Sequence, residues 1–356
     1  MASHEAIQWK KAADEEMKNL RNLNCWRIIP KTDLAPGTPI MGSRWTFRYK
    51  TDSSGNLTRY RSRLVVKGYS QIQGINYFES FSPVASFVTI RTLFALTALP
   101  HFNVYQYDVQ VAFIQSELDP NQPPVYCECA EGYEDRSKYC YLLLRHLYGM
   151  KDSPRGWNKM FRNICKSHGL KPLKTDECVY IKEVPNTSEG HIINDFSAIK
   201  DNLPNIPLHK RVYKDCPYET AILIICCYVD DVLAFTNCKS LADEFLQHAN
   251  KSVTMTCDGP VEWYLSVKYT RDETTGAVTA SQDLYIEKIL KRWGMENCNS
   301  LPTPFPAKAD EVIEELSQPV SNPDAVINQQ YQELIDRKST RLNSSHSSVS
   351  RMPSSA

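Results

Sequence analysis

An apolar, β-branched segment that two adjacent carboxylates interrupt constrains this chain more than any other feature. Residues 221–229 read Ala-Ile-Leu-Ile-Ile-Cys-Cys-Tyr-Val, Asp230 and Asp231 follow, and residues 232–235 are again apolar. The pattern predicts a buried β-hairpin whose tight turn carries both aspartates. Because neighbouring carboxylates repel each other, a divalent cation with oxygen ligands, Mg²⁺ or Mn²⁺, would stabilise the pair. The alternative is a solvated Asp-Asp turn that binds no metal.

A single carboxylate interrupts a second strand-like run, residues 104–113. Asp108 has no cation near it in the sequence, and burying it without a partner would cost several kcal/mol. A metal ion shared with Asp230 and Asp231 would supply that partner. The alternative is an isolated Asp at the end of an edge strand.

The return strand of a predicted hairpin, residues 45–66, is cationic. Arg59, Arg61, Arg63 and Lys67 have the same parity, so a regular strand would present them on one face. Residues 44–71 hold seven Lys and Arg against one acid, Asp52. Such a face suits phosphate binding, while the alternative is an edge strand that its charges protect from pairing.

Other segments predict the rest of the secondary structure. A loop with Gly and Pro, residues 147–157, runs into a helix with Ser153 as N-cap and Pro154 as the first helical residue. Residues 183–220 are polar and predict a long surface insertion, and residues 261–269 are strand-like. Helical periodicity marks four further segments, residues 6–20, 90–97, 241–249 and 284–293.

Composition narrows the class of protein. The 356 residues are 42% hydrophobic and 23% charged, enough for two or three subdomains with cores of their own. A formal charge of zero argues weakly against a nucleic-acid binder. No apolar run is long enough to span a bilayer and no signal peptide begins the chain, so we expect an intracellular protein. The twelve cysteines form no Cys-x-x-Cys pair, which predicts reduced, packed thiols.

The C-terminal segment, residues 336–356, differs from the rest. Its residues can be read off a common short-read sequencing adapter, so we interpret it as an adapter-derived, disordered tail. The alternative is a natural disordered tail rich in Ser and Arg.

Taken in order, the aspartate in a strand, the Gly/Pro loop and the Tyr-Val-Asp-Asp hairpin resemble the palm of reverse transcriptases. The amino-acid sequences of the motifs resemble those of copia-type LTR retrotransposon polyproteins still more closely, over residues 9–335. The segments that carry this resemblance are residues 60–71, 81–84, 108–113, 147–151, 228–231, 281–286 and 303–304. Tyr-Val-Asp-Asp alone is a weak signal of this family, but so many motifs in the family's order are a specific one.

The resemblance implies an α+β fold of the right-hand polymerase type, with an antiparallel palm sheet. Fingers and the start of the palm would occupy residues 1–107, the palm residues 108–270 with the insertion at 183–220, and the connection and partial thumb residues 271–335. The implied activity is RNA-directed DNA polymerisation by two-metal phosphoryl transfer from dNTPs. The alternative is a catalytically inactive, truncated retrotransposon remnant that only binds nucleic acid.

The resemblance also implies roles for individual residues. The metal ligands for two Mg²⁺ ions, with Mn²⁺ as the other candidate, are Asp108, Asp230, Asp231 and Val109. The residues implied to bind the incoming nucleotide are Arg61, Arg63, Lys67, Phe113, Gly149, Lys151 and Tyr228, with Phe113 as the aromatic gate against a ribose 2′-hydroxyl. The implied primer grip comprises Trp263, Tyr264, Leu265 and Ser266, where the family usually has Gly at position 266.

The implied partners are an RNA template, a DNA primer with its cDNA product, and dNTPs. Family polyproteins also contain integrase and RNase H domains, which we do not find in this sequence. We expect no membrane association and a cytoplasmic location within virus-like particles.

Overall fold

The computed structural model describes residues 5–51, 56–186, 191–193, 211–272 and 274–299, and these form an α+β fold. The helices are α1 (Ala6–Asn22), α2 (Phe87–Leu96), α3 (Ala112–Gln115), α4 (Ser153–Ser167), α5 (Lys239–Ala249) and α6 (Asp283–Arg292). Residues 300–335 of the expected thumb and the interpreted tail at 336–356 lie outside the described residues.

Seventeen strands are present in the described part of the chain. They are β1 (Trp26–Pro30), β2 (Ile40–Met41), β3 (Ser43–Thr51), β4 (Leu57–Val66), β5 (Asn103–Val109), β6 (Tyr126–Glu128), β7 (Tyr139–Leu143), β8 (Lys171–Pro172), β9 (Val179–Pro185), β10 (His191–Ile193), β11 (Arg211–Tyr213), β12 (Thr220–Tyr228), β13 (Asp231–Thr236), β14 (Met255–Pro260), β15 (Trp263–Tyr264), β16 (Val267–Arg271) and β17 (Val278–Ser281). The chain divides into two compact units, Met1–Val261 with Arg271–Val278 and Glu262–Thr270 with Thr279–Ala356.

A six-stranded antiparallel sheet forms the centre of the first unit, in the order β14-β5-β13-β12-β9-β8. Its β-branched and aromatic side chains share one hydrophobic core with Trp157 and Phe161 of α4 and Phe245 of α5. Because β12 and β13 are apolar on both faces, almost every residue of the two strands is buried. The predicted central hairpin is therefore confirmed as the middle of this sheet.

The hairpin β3–β4 packs against α1. Trp9 of α1 places its ring 4.7 Å from the ring of Tyr60 and 5.3 Å from that of Phe47. On β4 the residues of one parity, Ser62, Leu64 and Val66, are buried, and the arginines lie on the other face. This confirms the predicted hairpin and the predicted common face of the arginines. A second core joins α1, β4 and the four-stranded sheet β1-β7-β6-β2.

The second unit contains the sheet β15-β16-β17 and α6. The prediction of one strand over residues 261–269 is wrong. Tyr264 pairs with Val267, and the chain reverses between them. A turn follows Asp272, whose carboxylate accepts the amide N–H groups of Thr274 and Thr275.

The structure differs from the sequence prediction at the boundaries of two other segments. Asp152, not Ser153, precedes α4, and Ser153 is its first residue. The polar segment 183–220 begins inside β9, and Val184, Tyr213 and Cys216 are buried in the core. Residues 194–210 of that segment lie outside the described residues.

All twelve cysteines are free thiols, and ten of them are buried, as predicted. No helix in the described ranges is both long and apolar enough to cross a membrane.

Candidate active site

Two of the predicted acids lie directly opposite each other in the central sheet. Asp108 on β5 is the register partner of Asp231 on β13. Residues paired in this way have Cβ atoms about 4.5–5.5 Å apart. Asp230 immediately precedes Asp231, so the sheet brings all three acids to one end of β5 and β13 although the sequence separates them widely.

The hairpin turn is shorter than the sequence suggested. Tyr228 pairs with Asp231, and only Val229 and Asp230 form the turn between them. Asp231 is therefore the first residue of β13, which corrects the prediction that the turn carries both aspartates. Tyr228 is buried, and its ring centroid lies 5.9 Å from that of Phe87 on α2.

Burial and neighbouring charges raise the pKa of two of the acids, Asp231 and Asp108. Burial raises the pKa of Asp231 to about 6, and the charges of Asp230 and Asp108 add to the shift. The pKa of Asp108 is raised by burial and then by the charges of Asp258 and Asp230, against the opposing effect of Arg61. A bound cation would reverse these shifts because it favours the charged form.

The donor chemistry of this end of the sheet suits Mg²⁺, which prefers carboxylate and carbonyl oxygens. The hydrocarbon side chain of Val109 has no ligand atom, so its backbone carbonyl oxygen is the ligand that this residue offers. Within the described ranges, however, no three His, Cys, Asp or Glu side chains are arranged closely enough to hold a metal ion. The backbone thus brings the three acids together, while their side chains do not form a closed ligand set.

The β3–β4 hairpin presents a cationic face. Arg48 lies opposite Arg61, and Lys50 lies opposite Arg59. Like charges opposed across two strands destabilise the pairing, so an anion bound on this face would stabilise it. Arg61 and Lys50 both act to lower the pKa of Asp108, which shows that this face influences the acids electrostatically.

Arg63 and Tyr148 connect this face with the Gly/Pro loop. The guanidinium of Arg63 lies 4.6 Å from the centre of the Tyr148 ring. Burial raises the pKa of Tyr148 to about 12, and the charge of Asp230 adds to the shift. The Lys67 side chain does not extend from this face as the arginines do. A Cβ added to Gly42 would lie only 2.8 Å from the Cδ atom of Lys67. The Lys67 side chain therefore packs over the backbone at Gly42.

Phe113 is half-buried in the short helix α3. Its ring centroid lies 6.4 Å from that of Tyr148, in an edge-to-face arrangement. Val111, which precedes α3, has φ 48°, so the chain turns sharply between Asp108 and Phe113. This turn places the aromatic ring beside the loop that follows β7.

The Gly/Pro loop docks on the end of β4. The amide N–H of Val66 donates to the carbonyl of Tyr148 at 2.8 Å. Gly149 has φ 89°, and a Cβ there would lie 2.3 Å from the carbonyl oxygen of Val66. Glycine is therefore required at position 149 for both conformation and close approach.

Lys151 makes two hydrogen bonds to Gln71, and its ammonium lies 5.2 Å from the centre of the Tyr77 ring. Its amide N–H donates to Oε1 of Gln71 at 2.6 Å, and its ammonium donates to the backbone carbonyl of Gln71 at 3.0 Å. The Gln71 side chain also donates to Asp152 at 3.2 Å. These bonds fix the entry into α4.

The predicted primer grip lies in the second unit. Tyr264 is buried and Trp263 is 38% exposed. Leu265 and Ser266, the two residues between β15 and β16, have φ 49° and 66°. The hairpin therefore keeps a left-handed turn without glycine.

The structure adds residues that the sequence interpretation missed as contributors to the site. Asp258 occupies a β-bulge of β14, where Cys257 pairs with Tyr107 and Gly259 with Gln106. A bulge redirects a side chain, and Gly259, with φ 96°, followed by Pro260 is the sequence signal that could have indicated this one. The sequence places Trp157 at the end of the Gly/Pro loop. In the structure it lies in α4, and its indole N–H donates to the backbone carbonyl of Val229 in the acid-bearing turn.

Comparisons with known proteins agree with the resemblance seen in the sequence. Residues 24–196 match the family described as "Reverse transcriptase (RNA-dependent DNA polymerase)". The Pol polyprotein from transposon TNT 1-94 of Nicotiana tabacum is 32% identical over 303 residues, 85% of this chain and 20% of that protein. The Pol polyprotein from transposon RE1 of Arabidopsis thaliana is 26% identical over 302 residues, 84% of this chain and 18% of that protein. The chain thus spans about a fifth of the length of these relatives.

Proposed function

Because the chain is a reverse transcriptase domain of the retrotransposon Pol polyprotein family, we propose that it copies RNA into DNA by two-metal phosphoryl transfer from dNTPs. The observation that carries this proposal is the pairing of Asp108 with Asp231 beside Asp230 at one end of the sheet. The chain would use the arrangement of a right-hand polymerase, with fingers and the start of the palm in residues 1–107. The palm would occupy residues 108–270, and a partial thumb residues 271–335.

Asp108, Asp230, Asp231 and the carbonyl of Val109 would hold the metal. Two Mg²⁺ ions, or Mn²⁺ in their place, would activate the primer 3′-hydroxyl and neutralise the charge that develops on the triphosphate. The raised pKa of Asp231 fits this role, because a carboxyl group crowded by other acids gains most from a cation.

The remaining residues of the site would bind and orient the incoming nucleotide. Arg61 and Arg63 lie on a face where Arg48 opposes Arg61 and Lys50 opposes Arg59, and Glu15 pairs with Arg59 at 3.3 Å. The remaining excess of positive charge suits a triphosphate. The nucleotide would also be bordered by Lys67, Lys151, Gly149 and Tyr228. Phe113 would contact the sugar and reject a 2′-hydroxyl. Trp263, Tyr264, Leu265 and Ser266 would hold the primer end.

The partners under this proposal are an RNA template, a DNA primer and dNTPs. The relatives that we compared are polyproteins, so integrase and RNase H domains would act together with this chain. We place the reaction in the cytoplasm, within virus-like particles.

Extension of a DNA primer on an RNA template tests the proposal. The wild-type chain should extend the primer only when Mg²⁺ or Mn²⁺ is present, and Asp230→Asn should reduce the rate by about a thousandfold or more, because it removes a charge that holds the cations. Asp243→Asn is the matched control, since Asp243 lies on α5 and pairs with Lys239 at the surface.

Equal activity of Asp230→Asn and the wild type would contradict the metal assignment. Tight binding of primer–template without extension by the wild type would instead support the alternative, an inactive remnant that only binds nucleic acid.

A further inference from the structure

A buried hydrogen bond joins α4 to the turn that carries Asp230. The indole Nε1–H of Trp157 donates to the backbone carbonyl oxygen of Val229. Trp157 is only 1% exposed, so water does not compete for this carbonyl. A hydrogen bond in such surroundings is electrostatically stronger than one at the surface.

The residue that receives this bond has an unfavourable backbone conformation. Val229 has φ 62°, in the left-handed region that a β-branched residue rarely adopts. Such a conformation persists only where surrounding contacts enforce it. The Sγ atom of Cys227 contacts the same carbonyl oxygen at 3.4 Å, so two groups hold the peptide that leads into Asp230.

Helix α4 is itself fixed at its N-terminal end. The Oγ of Ser153 donates to the carbonyl of Leu147 at 2.7 Å, and Tyr148 in the same loop accepts the amide N–H of Val66. The helix therefore connects the end of the arginine-bearing strand with the acid-bearing turn.

We propose that Trp157 is a positioning residue that holds the Val229 carbonyl, sets the left-handed turn and so orients Asp230 and Asp231 toward the cations. The inference rests on the proposed function, because it assumes that these acids bind the catalytic metal. It adds a residue that touches neither substrate nor metal.

Trp157→Phe tests the inference, because phenylalanine keeps an aromatic ring and removes the N–H donor. The matched control is Trp45→Phe, which removes an indole bond to the carbonyl of Glu131 at 3.0 Å, away from the turn. Mn²⁺ binding to the full chain, followed by electron paramagnetic resonance, reports on the acids without any need for activity.

We expect Trp157→Phe to weaken Mn²⁺ binding about tenfold, as the loss of one shielded hydrogen bond predicts. The Mg²⁺ concentration that gives half-maximal primer extension should rise by a similar factor, whereas the KM for primer–template should stay the same. Trp45→Phe should leave both metal readouts within about twofold of the wild type. A purely structural role would lower the melting temperature without moving the metal midpoints.

A second variant tests the link from the other side. Glycine adopts the left-handed conformation without strain, so in a Val229→Gly background Trp157→Phe should cost less than about threefold in Mn²⁺ binding. If Trp157→Phe does not fold, an NMR measurement on the wild-type chain tests the inference. Bound Mn²⁺ should broaden the indole proton signal of Trp157 more than that of Trp45.

Several outcomes would overturn the inference: a folded Trp157→Phe variant that binds Mn²⁺ like the wild type, an unchanged penalty in the Val229→Gly background, equal broadening of the two indole signals, or a wild type that binds no Mn²⁺. Mn²⁺ binding that depends on Trp157 in a chain that extends no primer would refute the proposed function and leave the inference standing.

Discussion

Under the proposed function, the side chain of Phe113 would select deoxyribonucleotides over ribonucleotides. It lies beside Tyr148 at the start of α3, on the chain segment that leaves Asp108. Phe113→Ala should therefore raise incorporation of ribonucleotides relative to deoxyribonucleotides by at least about tenfold, because the ring that would clash with a 2′-hydroxyl is removed. The ratio of kcat/KM for a ribonucleotide and its deoxy counterpart measures this effect.

Phe81→Ala is the control for that measurement, since the Phe81 side chain is 74% exposed. An unchanged ratio in Phe113→Ala, with dNTP incorporation intact, would exclude Phe113 as the sugar gate.

The backbone conformation of Ser266 has a measurable cost in the free energy of folding. Its φ of 66° is in the left-handed region, where glycine is free of the steric penalty that a side chain brings. Ser266→Gly should stabilise the β15–β16 hairpin by about 0.5–1 kcal/mol. Amide hydrogen exchange at Val267 and Trp263 should slow accordingly.

The same substitution in a helix provides the contrast. Ser240 lies in α5, where Ser240→Gly should destabilise the helix by about 0.5 kcal/mol. Faster exchange in the hairpin after Ser266→Gly would show that the turn does not hold Ser266 in the left-handed region.

Sequence analysis identified single residues well where their chemistry conflicted with their surroundings. Asp108, Asp230 and Asp231 each interrupt an apolar run, and the register of β5 and β13 brings them together. Asp258 and Trp157 could not be found in this way. The role of Asp258 depends on a bulge, and that of Trp157 on a contact between segments that are distant in sequence.

At the scale of elements, the docking of the Gly/Pro loop on β4 leaves no room for a side chain. Gly149→Ala should lower the free energy of unfolding by about 2–4 kcal/mol, because the new Cβ would meet the carbonyl of Val66 and because φ 89° disfavours alanine. Urea denaturation measures the change. Gly132 also has a positive φ, 86°, but open space around it, so Gly132→Ala should cost only about 1 kcal/mol.

Equal losses for these two variants would show that the backbone conformation, and not the close approach to β4, makes glycine necessary at position 149.

Elements with a clear period were predicted correctly. The regularly spaced apolar residues of α1 and α5 are buried. In the β3–β4 hairpin, Leu64 and Val66 of β4 are buried, whereas Phe47 and Tyr49 of β3 are exposed. The break between β15 and β16 was missed because Leu265 and Ser266 do not mark a turn by composition. The burial of Tyr213 was missed too, because the polar composition of residues 183–220 indicated a surface segment. The Tyr213 hydroxyl donates to Glu244 of α5, a contact that composition cannot indicate.

At the scale of the whole molecule, the thiols form two classes. Burial raises the pKa of Cys25 and of Cys127 to about 12, and Cys257 and Cys298 are the two exposed cysteines. Since the thiolate is the reactive form, a raised pKa slows alkylation at pH 7–8. A thiol reagent should therefore label about two cysteines quickly in the native chain and all twelve in denaturant.

Raising the pH toward 9 should leave the ten buried cysteines slow to react with the reagent. Rapid labelling of many more than two native thiols would contradict the packing of both cores.

The order of the central sheet has a consequence for how the chain is made. β5 pairs with β13 and β14 but with no strand that precedes it. During synthesis on the ribosome, residues 103–109 must therefore wait, with both edges unpaired, until residue 236 has emerged. A nascent chain halted before that point has not brought Asp108 and Asp231 together, and it offers an unpaired strand to chaperones or to aggregation.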